Sequence, residues 1–195
     1  MSMSRLALIV LAILTMAAVA TAQAGNWQID PNHSSAQFSV RHLGVSTVRG
    51  AFMKVTGSAK YDPANPANDS LMASIEAKSV DTRVEMRDND LRSPNFLDVE
   101  KYPTIKFQSK QVKASGDGKL QIIGDLTIHG VTKEVTLDCD GPSAPIKDPW
   151  GNQRIGASAS TKVNRKDFSV NGAPGVVGDD ISITIDAELI QPQPK

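Results

Sequence analysis

The chain has 195 residues, 21 basic and 21 acidic side chains, three histidines and one cysteine, Cys139. This length suits one domain with a real core, and the balanced charge disfavours nucleic acid as a partner. A lone cysteine excludes an internal disulfide, so stability has to come from packing.

At the N-terminus Arg5 precedes an acid-free apolar stretch, Leu6 to Ala20, followed by small residues ending in Ala22-Gln23-Ala24. That order is the signature of a cleavable secretory signal peptide, and its apolar core is shorter than the ~20 residues of a spanning helix. Cleavage is expected after Ala24, making Gly25 the first mature residue, with Ala20-Thr21-Ala22 as a second small-x-small site. Residues 1–24 are then the leader, 25–190 one domain without a transmembrane segment, and 191–195 a frayed tail.

Beyond Trp27 apolar and polar residues alternate at period two, the mark of half-buried strands. Ala36, Phe38 and Val40 set the pattern, repeated by Leu71, Ala73 and Ile75, by Ile105 and Phe107, and by Leu120 through Ile128. Val135, Leu137 and Cys139 continue it, and Ile181 through Leu189 show it most cleanly. Turn signals separate the runs at Asp62-Pro63 to Asn68, Gly116-Asp117-Gly118, His129-Gly130, Asp148 to Gly151 and Gly172 to Gly178. The one helical interruption is Thr82 to Arg92, where Thr82-Arg83-Val84-Glu85 has capping-box spacing and the helix charges read as a solvated face. About eight antiparallel strands with one apolar face predict an all-β, closed up-and-down barrel, with a sandwich as the alternative.

The expected inner face mixes large and small residues. Phe38, Val40, Phe52, Ile75, Phe107, Ile122, Leu126 and Ile183 line an apolar tunnel, while Gly124 and several alanines leave space within it. A helix or loop folded into that space is the competing reading. Met86, Leu91 and Phe96 are placed near an entrance covered by the helix. His42 is placed at the pocket mouth, and Arg83 and Arg87, spaced i,i+4, are placed to meet an anionic head group.

No catalytic constellation is found. His33, His42 and His129 lack the spacing of zinc motifs, so no metal is expected. His129-Gly130 reads as a hairpin turn that needs left-handed backbone. Asp88-Asn89-Asp90 fails as a calcium loop because Ser93 and Val99 stand where Gly and Glu are required. Cys139 reads as a small buried apolar residue.

The motifs taken together resemble the YceI-like family. They are Trp27-Gln28-Ile29-Asp30-Pro31-Asn32-His33-Ser34, Val40-Arg41-His42-Leu43-Gly44, Val48-Arg49-Gly50-Ala51-Phe52 and Ser79-Val80-Asp81-Thr82 in the first half. Tyr102-Pro103, Gly124 to Lys133, Asp148-Pro149-Trp150-Gly151, Arg165-Lys166-Asp167-Phe168 and Val177-Gly178-Asp179 follow in the second. The resemblance implies an extended lipocalin-like barrel in the bacterial periplasm whose members hold polyisoprenoid or other long-chain amphiphiles, with no enzymatic activity and no cofactor beyond a bound lipid. It admits a homodimer and names no delivery partner. One departure is Ala157, where many relatives carry Phe, which implies a wider pocket. An interaction scaffold and a histidine-based metalloprotein are the competing functional readings.

Intact-mass analysis of the periplasmic protein is expected to find a chain starting within two residues of Gly25. A species retaining Leu6 to Ala20 would overturn the leader assignment.

Overall fold

The computed structural model describes residues 24–191. The leader and the tail residues 192–195 lie outside the described residues; Gln191, expected with the tail, instead ends the last strand, paired with Gln153.

Among the described residues twelve strands follow one another: β1 (Gly25–Ile29), β2 (Ser35–His42), β3 (Ser46–Phe52), β4 (Val55–Tyr61), β5 (Ser70–Glu76) and β6 (Val80–Asp81) precede the helix α1 (Glu85–Arg92). After it come β7 (Thr104–Ala114), β8 (Lys119–Ile128), β9 (Val131–Asp140), β10 (Ile146–Lys147), β11 (Gln153–Asn164) and β12 (Val177–Gln191). Every pairing is antiparallel. The twelve strands form only eight staves, because four pairs lie end to end. β1 and β2 share one edge of β12, β3 and β4 run beside them, β5 and β6 beside those, and β9 and β10 share one edge of β11. The staves are neighbours in chain order, β11 pairing with β12 from Gln153↔Gln191 to Asn164↔Asp180, and β12 pairing with β1 and β2 closes the ring. The expected eight-stranded up-and-down barrel is what the chain forms.

Local chemistry explains the turns and the breaks. His129 and Gly130 both take positive φ in a two-residue turn, as do Leu43 and Gly44 in the three-residue connection before Ser46, which matches these turns to the twist of their strands. The break between β1 and β2 starts at Asp30-Pro31, where a missing amide stops the ladder. Asp30 Oδ1 there accepts the Asn32 amide, and the Ser34 hydroxyl donates to the Glu188 carbonyl while accepting the Glu188 amide. A side chain thus replaces the missing backbone partner.

A bulge between Ser109 and Gln111 shifts β7 by one residue, so the buried positions pass from Ile105 and Phe107 to Val112.

The start of the helix corrects the capping-box expectation. α1 begins after Val84, which makes no side-chain cap, because Arg83 adopts φ 65° and turns the chain first. Thr82 is therefore too early to cap. Its amide and hydroxyl both donate to Asp88, whose carboxylate is buried rather than part of a solvated face.

Arg154 locks the seam. On β11 it faces Ile190 of β12 and Ile146 of β10, and its guanidinium binds Asp30 at 2.9 Å, Asp148 at 2.7 Å and Glu188. Burial alone would raise the Asp30 carboxyl, but hydrogen bonds from His33, Arg154 and the Asn32 amide outweigh it and hold the group down at about 2. Burial opposes ionisation of Asp148 too, and Arg154, Asn152 and the Trp150 amide bring it likewise to about 2.

Both carboxylates have folded-state values below the ordinary 3.8. Their contribution is therefore present above that value and lost as pH falls through about 2. Arg154→Met is expected to lower the thermal midpoint at pH 7, with the gap to the unmodified protein narrowing between pH 4 and pH 2. A gap independent of pH would show that the arginine acts by packing alone.

Candidate functional site

The ring encloses a cavity of about 290 Å³ whose wall runs from one end of the barrel to the other. At the helix end it is bounded by Leu91, Phe96, Leu97, Phe168 and Val170, and at the opposite end by Tyr61, Asp69, Leu71, Leu120 and Pro142. Parity explains the apolar wall: in each stave alternate residues point inward, and those positions carry Val, Ile, Leu, Phe and Ala.

Phe38, Val40, Phe52, Ile75, Phe107, Ile122, Leu126 and Ile183 are all on this wall. Gly124 does not leave the space expected of it. A Cβ there would lie 2.7 Å from the Phe107 ring and 2.4 Å from the Gln108 carbonyl oxygen, so the ring and the neighbouring strand already fill the site. Gly50 repeats the arrangement under Phe38, whose ring atoms would be 2.6 Å from its Cβ. Gly50 and Gly124 are thus the seats of cross-strand phenylalanines, an arrangement that period-two reading cannot distinguish from a void. The small side chains on the wall are alanines: Ala36, Ala59, Ala73, Ala157, Ala159 and Ala187, with Ala157 directly opposite Ala187.

The residues assigned to an entrance separate. Leu91 and Phe96 reach the wall. Met86 is 81% exposed, and neither it nor His42, Arg83 or Arg87 is on the wall. Arg87 is held by Thr82, donating to its hydroxyl at 2.8 Å and its carbonyl at 2.9 Å, so its guanidinium braces the turn before α1.

Sequence reasoning missed the charged residues on the wall, Lys60, Asp69, Lys106 and Arg165. Arg165 is buried beside Phe168 at the helix end, donating to the carbonyls of Val170, Gly172, Val177 and Gly178. Asp69, half-buried at the other end, directly follows the turn read at Asp62 to Asn68. Cys139 faces the interior, and burial followed by the charge of Asp140 pushes its thiol up to about 11, which suits the apolar role expected of it.

The histidines have separate settings. His129 packs against Tyr102 with ring centroids 4.4 Å apart, His42 closes β2, and His33 contacts Asp30 at 2.8 Å. Asp30, His33 and Glu188 are the one trio of candidate metal ligands among the described residues. Arg154 occupies that trio, bonding the same Asp30 oxygen that His33 uses, so a resident guanidinium already neutralises the carboxylates.

The family model of the YceI-like domain matches residues 27–189. Protein YceI of Escherichia coli O157:H7 is 38% identical over 178 residues, covering 90% of this chain and 92% of that protein. Among solved structures, the YCEI protein of Campylobacter jejuni aligns with a TM-score of 0.69 at 31% identity, over 78% of this chain and 90% of that one. A polyisoprenoid binding domain from Saccharophagus degradans shares the fold, with a TM-score of 0.64 at 15% identity over 85% and 98% of the two chains.

Overpacking at a glycine seat is expected to be costly. Gly124→Ala should lose about 1–3 kcal/mol in urea unfolding. Gly156→Ala, whose Cβ would meet only the Ala187 carbonyl at 3.9 Å, should change stability little. Equal effects at the two sites would refute the seat assignment.

Proposed function

The chain belongs to the YceI-like family, and from that membership and the form of its interior we propose that it holds one long apolar chain, of polyisoprenoid type, inside the barrel. The observation that carries the reading is the continuous apolar wall around about 290 Å³. That volume stands at the low end of the ~300–1,000 Å³ typical of ligand pockets, which suits a narrow flexible chain better than a compact molecule. Each buried methylene contributes roughly 0.8 kcal/mol before ordering costs, so the tail can supply most of the affinity.

Supporting this reading, the Saccharophagus degradans domain of the same fold is described as binding polyisoprenoid. The role is binding for transport, storage or sequestration, not catalysis. The leader read at residues 1–24 supports a periplasmic setting for this role.

Ala157 provides the test. It lies on the wall opposite Ala187, and Phe there fills space that a ligand would need. Gly124→Trp is unsuitable, because its side chain meets backbone of the adjacent strand. Ala157→Phe is expected to keep its thermal midpoint and to lose most of the lipid detected by mass spectrometry of organic extracts. Full retention of lipid by the folded variant would overturn the proposal. So would the absence of lipid from unmodified protein taken from its own periplasm, which would leave the barrel as a scaffold for interaction.

A further inference from the structure

The two ends of the cavity differ in charge. Asp69 is the one acidic residue on the wall among the described residues, and it adjoins the inward-facing Tyr61 at the end away from the helix. The loop that carries it is held by its own polar groups. Asp62 accepts from the Ala64 and Asn65 amides and the Asn68 side chain, and Asn65 accepts the Ala67 amide. Asp69 Oδ1 accepts the Asp62 amide at 2.6 Å. Among the described residues no group donates to Asp69 Oδ2, so a rigid loop presents half a carboxyl without a partner.

We propose that Asp69 and Tyr61 form the polar end of the lipid site and select a head that is an uncharged hydrogen-bond donor, such as an alcohol or amide, over an anionic one. The inference rests on the carrier reading and adds the class of head group to it. A carboxylate accepts a hydrogen bond from a hydroxyl or amide but repels a phosphate, sulfate or carboxylate brought beside it.

Burial raises the Asp69 carboxyl to about 6, the Asp62 charge adding to the shift, while the Asp62 amide and Lys60 oppose it. Burial and the Asp69 charge likewise raise the Tyr61 phenol, which keeps it protonated as a donor. The charged neighbours are Lys60 on β4, exposed between the inward-facing Ala59 and Tyr61 yet itself at the wall, and Asp62 in the same loop. β7 presents the Ser109 hydroxyl, which accepts the Leu71 amide. At neutral pH the carboxyl is mainly ionised, and near pH 5 mainly neutral, so discrimination against anions is stronger at the higher pH.

The test uses the whole mature chain with two probes of one tail, phytanol and phytanyl sulfate, the sulfate keeping its charge throughout. By equilibrium dialysis at pH 7.5 the unmodified protein is expected to hold the alcohol at least about tenfold tighter, a difference of about 1.4 kcal/mol. At pH 5 the ratio should narrow. Asp69→Asn should narrow it at pH 7.5 by gaining affinity for the sulfate and should make it insensitive to pH, while Tyr61→Phe should weaken the alcohol and spare the sulfate. Equal binding of the two probes, preference for the sulfate, or a ratio unmoved by both pH and Asp69→Asn would overturn this inference and leave the carrier reading standing. Failure of the unmodified protein to bind either probe would overturn the carrier reading and this inference with it. Should Asp69→Asn not fold, the pH dependence of the unmodified protein decides the question.

Discussion

Closure of the sheet where β12 meets β1 and β2 sets the conditions for everything inside it. A twelve-residue ladder from Gln153 to Asn164 makes the last two staves neighbours, and β12 then receives β1 and β2 on its other edge. Without that join the apolar face would be open to water and the sheet would end in unpaired edges. Arg154 stands where the join is weakest, beside the break in the β1–β2 stave. Its guanidinium supplies donors to Asp30 in that break, to Asp148 in the turn before β11 and to Glu188 on β12. One cation thereby fixes three segments that no continuous ladder could hold together. Ion pairs of this kind are made strong by their geometry and low exposure, and costly to leave half-made.

A closed ring of eight staves leaves an interior that side chains either fill or leave for a ligand. Here both happen, in different sectors. Where β2 meets β3 and β7 meets β8, Phe38 and Phe107 lie over Gly50 and Gly124, so the wall is dense. Where β11 meets β12, Ala157 faces Ala187 and both lie on the cavity wall. Volume is distributed by the pairing of large with small residues across strands. A count of small residues along one strand misses this, because a glycine opposite an aromatic contributes no free space.

The same distinction separates what was legible in the sequence from what was not. Alternation identified the inward faces of β2, β5, β8, β9 and β12, because one buried face forces period two on each strand. Turn residues marked His129-Gly130 and Asp148 to Gly151 for equally local reasons. The four broken staves were not legible, since what bridges them is distant in sequence: Ser34 reaches Glu188, and Arg154 reaches Asp30. The helix start was misread because Thr82 has the residue type of a cap but spends its hydroxyl on Asp88. Met86, Arg83 and His42 were drawn to an entrance by their nearness to the helix or to inward parity, and the positive φ of Arg83 and the end of β2 at His42 place them elsewhere. Asp69 gave no signal, because a carboxyl at the end of a turn is ordinary until folding sets it at the end of a cavity.

That cavity is asymmetric because Arg165, buried at one end, and Asp69, half-buried at the other, are spent differently. Arg165, at the helix end, is the natural candidate to receive an anionic head, yet four of its hydrogen bonds already go to backbone carbonyls between Val170 and Gly178. Those carbonyls belong to the chain entering β12, so displacing the guanidinium toward a ligand would release that segment from the barrel end. Phe168 packs beside it, fully buried, and closes the space that a head would occupy. The arginine is thus a structural brace whose charge is met by carbonyl dipoles and, at 3.4 Å, by Asp179. At the opposite end the loop bearing Asp69 satisfies itself and asks nothing further of that carboxyl beyond one oxygen. A polar group not needed for the fold is available to a ligand, whereas one that the fold consumes is not. By that criterion the two ends are unequal, and the head of a bound chain belongs at the end where Asp69 stands.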